Sequence, residues 1–475
     1  MTDSLSNLPT GIDIAALEGV APLPERSPGY AYRIALVASS GGFLFGYDLI
    51  IIAGALPFLK QEFALSPTMV GFAVSSAILG AVVGPLLALW FTERIGRKWT
   101  MMLSALVFMA STIGCAFATS IDQFALWRFV GGMGIGLAMI SSPIYIAELS
   151  PPGIRGSLVN VNQLSNVIGI NLAVIVGYLF ASNDLGWRWM LGSQAVPVLC
   201  LFLGLFLIPE SPRWLASKGR FDEALGTLAR INGEAEARRE LDLVREDLSR
   251  EVGGFRELLA PGTRTALVVG IALMVFSQAN GVNMLLLYAP TIMMDAGMKV
   301  QSDTIISSIP VYLLILVCTL LAFVFIRRFS RRGLLIASSI GMTAGHILMA
   351  LALFFKAAPL FLLVPMMIGT GAFTIGLAPL SWIIVSEIFP NRVRGSALAI
   401  VCLFLFASSF ITAQFFPVLV EWFTIETGSS AGVYGLFALI CLACTLFAWK
   451  ILPETKGLSL EQIGQFWKDR AARRG

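Results

Sequence analysis

The sequence has few of the residues on which enzyme chemistry depends. Its 475 residues include one histidine and six cysteines, and only 13% are Asp, Glu, Lys or Arg. Cys441 and Cys444 form a C-x-x-C pair, but no second pair or nearby histidine completes a metal or redox motif. The glycine-rich stretch 131–138 lacks the preceding strand and the Lys-Ser/Thr ending of a nucleotide-binding loop. These scarcities argue against an enzyme and predict no metal and no cofactor.

Apolar residues are abundant instead. They make up 57% of the chain, and the mean hydropathy is +0.81. Crossing a hydrocarbon core takes about 20 apolar residues, and twelve stretches are long enough: 33–57, 68–91, 100–119, 124–146, 158–180, 189–208, 264–292, 305–326, 334–355, 359–386, 397–420 and 431–452. Lipid offers no partner for a free backbone amide, so each should be a helix. The sequence predicts an all-α membrane protein with twelve transmembrane helices.

The positions of Lys and Arg predict the orientation in the membrane, because positively charged loops stay in the cytoplasm. If both termini are cytoplasmic, the outer loops hold few of the 33 basic residues, namely Lys60, Arg188, Lys299 and Lys356. The net charge of +4 therefore reflects topology and gives no sign of nucleic-acid binding. No Asn-x-Ser/Thr sequon occurs, which favours a bacterial inner membrane.

An internal repeat divides the chain. The stretch "IAELSPPGIRGSL" from Ile146 returns as "VSEIFPNRVRGSAL" from Val385. Duplicated six-helix units are typical of secondary transporters, whose halves rock around a central site. We therefore expect alternating access. We divide the chain into an N-terminal cytoplasmic tail (1–30), a first half (31–208), a charged cytoplasmic linker with short amphipathic helices (209–263), a second half (264–452) and a C-terminal cytoplasmic tail (453–475).

Seven motifs occur in one order along the chain: "GGFLFGYD", "ERIGRK", "RFVGGMGIGLA", "SPIYIAELSPPGIRG", "PESPRWL", "SEIFPNRVRG" and "PETKG". In these motifs the sequence resembles the sugar porter family of the major facilitator superfamily. The resemblance implies a lipid-embedded transporter of a sugar or polyol, acting as a monomer and driven by a proton gradient without a cofactor.

Charged residues of these motifs fall at the predicted cytoplasmic helix ends: Arg94, Arg97, Glu148, Arg155, Glu210, Arg213, Arg331, Glu387, Arg394 and Glu454. The resemblance implies ion pairs that join the two halves in the outward-facing state. The alternative is that these are solvated charges which anchor helix ends at the headgroups. The second half departs from the family pattern, because "RRFSRR" (327–332) lacks its Asp and Gly, so we expect an asymmetric gate.

One carboxylate, Asp48, lies inside the first apolar stretch, and Arg128 lies inside the fourth. A charge in the bilayer is costly and usually has a partner or a function. We expect the two to pair, and loss of that contact would let Asp48 take up a proton. The resemblance favours this proton switch, since proton-coupled members carry Asp in the first-helix motif. A permanent structural ion pair remains the alternative.

A sugar site needs amides for the hydroxyls and an aromatic ring for the apolar face of the sugar. The resemblance implies that the main contacts are Gln163, Gln278, Asn283 and Trp382. Further candidates are Phe43, Ser277, Asn280, Tyr288 and Phe406, with Asn166, Thr374, Ser408 and Gln414 as secondary lining residues. Ser277, Leu287 and Ile170 replace polar residues common in the family, so the substrate is not assigned. Any single amide could instead join helices.

Three functions remain open at this point. The first is a proton/sugar symporter, the second is a facilitative sugar carrier in which Asp48 is structural, and the third is a sensor that binds sugar without transport. The short segment after Pro453 disfavours the sensor. His346 could relay protons, but we favour an interhelical hydrogen bond for it.

Overall fold

The computed structural model describes residues 29–151, 153–249, 258, 260, 262–389, 393–457 and 462. These residues are helical with short connections, and no strand occurs among them. Twelve spans are long and apolar enough to cross a membrane: Tyr30–Glu62, Pro67–Arg94, Arg97–Ala116, Ile121–Glu148, Arg155–Ser182, Gly186–Phe206, Thr263–Leu287, Gln301–Arg328, Arg331–Phe354, Pro359–Ile388, Arg394–Thr427 and Ala431–Lys450. We number them 1 to 12. The predicted fold class is confirmed, whereas most of both predicted tails lies outside the described residues.

Most spans begin a few residues before the apolar stretches that predicted them. Span 1 was expected at 33–57 and runs over Tyr30–Glu62, and span 11 was expected at 397–420 and runs over Arg394–Thr427. The apolar pattern marks only the hydrocarbon core, whereas the helix continues through the interfacial layer on either side. Apolar length therefore underestimates most helices at their N-terminal ends, whereas spans 3, 6, 7, 9 and 12 end before the predicted boundary.

The charged segment between the halves folds into three short helices, Pro212–Ser217, Phe221–Asn232 and Glu234–Ser249. They share a small apolar core that includes Leu215 and Leu228. Trp214 ties this unit to the first half, because its indole N–H donates to the Glu93 carbonyl at 3.0 Å. We call the membrane face that carries these helices the linker face and the opposite face the far face.

Glycines allow spans 1 and 5 to cross at very short distance. A Cβ at Gly46 would lie 2.0 Å from the Asn166 carbonyl oxygen, and one at Gly169 would lie 2.2 Å from that of Phe43. Any side chain at either position would push the two backbones apart. The spacing of "GGFLFG" therefore sets the register of span 1 against its neighbour. Asp48 follows two residues after Gly46, close to this crossing.

Candidate functional site

Asp48 and Arg128 form a buried ion pair within the first half. The Arg128 guanidinium donates to the Asp48 carboxylate, and the two side chains are only 6% and 5% exposed. The apolar cluster around spans 1, 4, 5 and 6 includes Tyr47, Phe124 and Ile170. A buried pair of this kind is held by mutual attraction, and losing one partner leaves an uncompensated charge. Arg128 therefore depends on Asp48 as its charge partner in these apolar surroundings.

Span 7 is interrupted at Asn280 and Gly281. The Asn280 side chain donates to the carbonyls of Phe276 and Ser277, at 3.0 and 2.7 Å, and accepts from the Val282 amide at 2.9 Å. Gly281 has φ +81°, a conformation that glycine adopts without strain. Asn280, predicted as a sugar contact, thus satisfies backbone groups at the interruption in this conformation.

The interruption brings two of the predicted sugar-binding amides together. Gln278 precedes it and Asn283 follows it, and the Asn283 amide nitrogen donates to the Gln278 side-chain oxygen at 2.8 Å. Both side chains are half-buried. In the part of the chain that the structure describes, the Gln278 amide nitrogen and the Asn283 oxygen remain open to a ligand. One donor and one acceptor side by side suit adjacent hydroxyls of a sugar.

Gln163 and Trp382, the other two main candidates, are both accessible. Gln163 is exposed on span 5, nine residues before the exposed Leu172. Nine residues are two and a half helical turns, so Gln163 lies on the face of span 5 opposite Leu172. Trp382 is 37% exposed on span 10. An amide and an indole with accessible surface are groups that can bind the polar and apolar faces of a small polyhydroxylated ligand.

The remaining aromatic and hydroxyl candidates contact protein groups in this conformation. The Tyr288 hydroxyl donates to the Ala413 carbonyl at 3.0 Å, and Ser277 donates to the Met274 carbonyl at 2.8 Å. Phe406 is 6% exposed within the apolar cluster of the second half. Phe43 is half-buried and stacks on Tyr47, with 5.9 Å between ring centroids. Their roles as sugar contacts stay predictions.

His346, the single histidine, is buried in span 9. Its ring stacks on Tyr434 and tilts against Phe437 of span 12, with 6.4 and 5.5 Å between ring centroids. Phe437 also covers Gly281, where a Cβ would lie 2.3 Å from the phenyl ring. Both ring nitrogens are buried without a hydrogen-bond partner among the described residues, so the interhelical hydrogen bond expected from the sequence is not observed here.

The linker face of the first half carries a cluster of charges from three motifs. Arg97 contacts Glu148 at 3.0 Å between Nε and Oε2, and Glu93 at 3.6 Å. Glu210 accepts from the backbone amides of Arg97, Lys98 and Ser211, at 3.0, 3.1 and 2.7 Å, and so caps the start of span 3. Burial raises the pKa of Glu210, although these three amides and the nearby Arg97 act in the opposite direction.

The second half repeats this cluster more loosely. Arg331 contacts Glu387 at 3.6 Å, and Glu454 accepts from the amides of Arg331 and Arg332 at 3.0 and 3.1 Å. Burial acts to raise the pKa of Glu454, but the donating amides, including that of Lys456, outweigh it and the pKa lies below its usual value. In the first half Arg97 contacts Glu93 as well as Glu148. In the second half Arg327 occupies the position that corresponds to Glu93, so Arg331 has no carboxylate at that position.

Other predicted gate residues have different environments. Arg94 lies over the Trp90 ring at 4.5 Å, Arg394 donates to the Phe389 carbonyl at 3.3 Å, and Arg213 is exposed in the first linker helix. Arg155 pairs with Glu240 of the linker at 3.4 Å. Glu240 was missed from the sequence, because it is one of many charges in an amphipathic run and nothing in that run distinguishes it.

The pairs of Arg97 and Arg331 each join residues of one half, whereas polar contacts between halves occur toward the far face. There the Gln301 amide donates to Gln61 at 3.3 Å, from span 8 to span 1. Twelve spans in two similar halves, a buried ion pair and accessible amides define a secondary transporter of the major facilitator fold.

Comparison with known proteins identifies the family. The profile described as "Sugar (and other) transporter" matches residues 34–467. The chain is 35% identical to the arabinose-proton symporter of Bacillus subtilis, over 98% of this chain and 100% of that protein. It is 33% identical to the D-xylose-proton symporter of Escherichia coli, over 94% and 97%. The chain therefore belongs to the sugar transporter family.

Solved structures agree with this assignment. The partially occluded inward-open form of the xylose transporter XylE from E. coli matches with a TM-score of 0.81 and 31% identity, over 91% of this chain and 100% of that one. The same transporter bound to 6-bromo-6-deoxy-D-glucose matches with a TM-score of 0.74 and 31% identity, over 92% and 99%. The chain is thus a multi-pass membrane transporter and not an enzyme.

Proposed function

We propose that this protein imports a monosaccharide by proton symport through alternating access. The observation that carries the proposal is the contact between Asp48 and Arg128, buried in the first half where the sequence predicted a proton switch. The names of the relatives support it, since both of those described above are proton symporters of pentoses. An aldopentose is the first substrate to test, with hexoses and polyols next.

The coupling follows from the charge on Asp48. While Asp48 is ionised, Arg128 holds it and the pair is stable in its apolar surroundings. When Asp48 takes up a proton, the attraction is lost and Arg128 must find other partners, which favours a different arrangement of spans 1 and 4. A sugar bound between the halves favours the same rearrangement, so that proton and sugar cross together. The proton gradient then supplies the energy without a cofactor.

The linker face is proposed to be cytoplasmic, with both termini on that side and the protein acting as a monomer in a bacterial inner membrane. The distribution of Lys and Arg supports this orientation. The TM-score is higher with the partially occluded inward-open form of XylE than with its sugar-bound form. An inward-open conformation is in line with a cytoplasmic linker face, because the pairs of Arg97 and Arg331 on that face do not join the two halves. On this proposal those residues exchange partners across the halves when the cytoplasmic side closes.

The test is uptake by purified protein in proteoliposomes, with labelled arabinose, xylose, glucose and inositol, with and without an inward proton gradient. We expect at least one sugar to accumulate above its external concentration only when the gradient is present. Equilibration that ignores the gradient would establish the facilitative carrier instead. Binding by thermal shift without any uptake would establish the sensor.

A further inference from the structure

Spans 2 and 11 pack against each other, and one amide side chain of span 11 forms hydrogen bonds with span 2 near the far face. The Ser75 hydroxyl donates to the Gln414 side-chain oxygen at 2.6 Å, and the Gln414 amide nitrogen donates to the Thr68 carbonyl at 3.1 Å. Gly71 lies between these two positions, and a Cβ there would be 2.2 Å from the Gln414 backbone oxygen. Positions 68, 71 and 75 share one helical face, so span 2 presents a carbonyl, a gap and a hydroxyl to a single glutamine.

These hydrogen bonds join the two halves of the transporter. Span 2 belongs to the first half and span 11 to the second, and Ser75 is fully buried at the contact. Both the oxygen and the nitrogen of the Gln414 amide are thereby paired with the opposite half. By contrast, Thr412, two residues earlier on span 11, donates to the Ser408 carbonyl of its own helix at 2.8 Å.

We propose that Gln414 is a positioning residue that holds the far face closed and so sets the balance between the two transport conformations. Only an interaction that differs between two states shifts the equilibrium between them. Opening the far face separates the ends of spans 2 and 11, which breaks both hydrogen bonds and exposes the buried Ser75 hydroxyl. The contact therefore stabilises the conformation described here against the opposite one. This inference rests on the alternating access proposed above.

The test measures the far-face distance directly, without sugar or proton gradient. Spin labels are attached at the exposed positions Met69→Cys and Ile425→Cys, in a background without the six native cysteines. An interhelical hydrogen bond in a membrane is worth roughly a threefold change in population. We expect Gln414→Leu to increase the open far-face population about ninefold and Ser75→Ala about threefold. Thr412→Val is the matched control and should leave the distance distribution unchanged.

A double variant makes the test specific. The hydroxyl of Ser75 acts here through Gln414, so Ser75→Ala combined with Gln414→Leu should equal Gln414→Leu alone. Additive effects, or the wild-type distribution in Gln414→Leu, would overturn the proposal. If Gln414→Leu fails to fold, Ser75→Ala removes a single hydroxyl and still decides the matter. Because the readout needs no transport, a protein that proved to be a sensor would still reveal whether this contact closes the far face.

Discussion

Replacing Asp48 with Asn is expected to abolish concentrative uptake while leaving sugar exchange intact. The carboxamide has nearly the shape of the carboxylate and keeps an oxygen that can accept from Arg128, but it cannot ionise. Removing one partner of a buried ion pair costs about 3–5 kcal/mol. Since the variant retains a hydrogen-bond acceptor, we expect a loss of stability below about 3 kcal/mol and a folded protein.

The size of the transport effect follows from the driving force. One pH unit is worth about 1.36 kcal/mol. With one proton per sugar, a gradient of about two units therefore allows up to roughly hundredfold accumulation by the wild type. Asp48→Asn should reach only the external concentration under the same gradient. In equilibrium exchange, where no net proton movement is needed, it should retain activity. Asp122→Asn, at an exposed carboxylate in the first turn of span 4, is the matched control.

Two results would refute this reasoning. If Asp48→Asn still accumulates sugar above equilibrium, the proton binds elsewhere. If the variant keeps the thermal stability of the wild type but loses exchange as well as accumulation, Asp48 is required for the conformational change itself. Asp48 would then act in the conformational change without being the proton-binding group.

Four further predictions concern two gate glutamates, the helix crossing and the sugar site. The lowered pKa of Glu454 stabilises the fold at pH values above the usual carboxyl pKa, and this stabilisation is lost as the pH falls through the lowered pKa. Glu454→Gln should therefore melt below the wild type near pH 7, and the difference should shrink as the pH is lowered from 7 to below the usual carboxyl pKa. The raised pKa of Glu210 has the opposite sign, so Glu210→Gln should gain thermal stability relative to the wild type as the pH rises over that range. Gly169→Ala should cost about 1–3 kcal/mol in unfolding experiments, because its Cβ meets the backbone of span 1. Asn283→Ala should raise KM for sugar roughly fivefold with little change in stability, as expected for one lost hydrogen bond of about 1 kcal/mol.

Each of these has a clear contrary outcome. If the melting temperatures of Glu210→Gln and Glu454→Gln changed with pH in the same direction relative to the wild type, the balance between burial and amide donation would not differ between Glu210 and Glu454. Gly435→Ala is the control for the helix crossing, since no atom lies within 4 Å of its Cβ. Equal melting temperatures for the two alanine variants would contradict the close contact at Gly169. An unchanged KM in Asn283→Ala would remove Asn283 from the sugar site.

The twelve helices and the ion pair could be predicted because each depends on a strong local signal. A long apolar stretch in lipid forms a helix, because a helix satisfies its own backbone hydrogen bonds. Two opposite charges within such stretches have few partners other than each other. The contact of Gln414 with Ser75 could not be predicted in the same way. Serine and glutamine occur at several positions in the spans, and only the packing of spans 2 and 11 selects this pair.

The linker-face charges show a second limit of sequence reasoning. The motifs of Arg97, Glu148 and Arg331 were expected to join the halves, whereas the pairs of Arg97 and Arg331 described here lie within one half. A transporter sequence encodes the contacts of more than one conformation, so a motif cannot say which contacts a given conformation makes. The resemblance assigned the cross-half pairs to the outward-facing state, and the present structure is most similar in fold to an inward-open one among those compared above.

The most direct test of proton symport is to let the sugar drive the proton. Proteoliposomes with a pH-sensitive dye in the lumen, clamped at zero membrane potential and without an imposed pH gradient, receive an excess of the transported sugar outside. The account predicts that the lumen acidifies as sugar enters, and that Asp48→Asn shows no such acidification. Sugar entry at the wild-type rate with no change in lumenal pH would contradict it and make the protein a facilitative carrier.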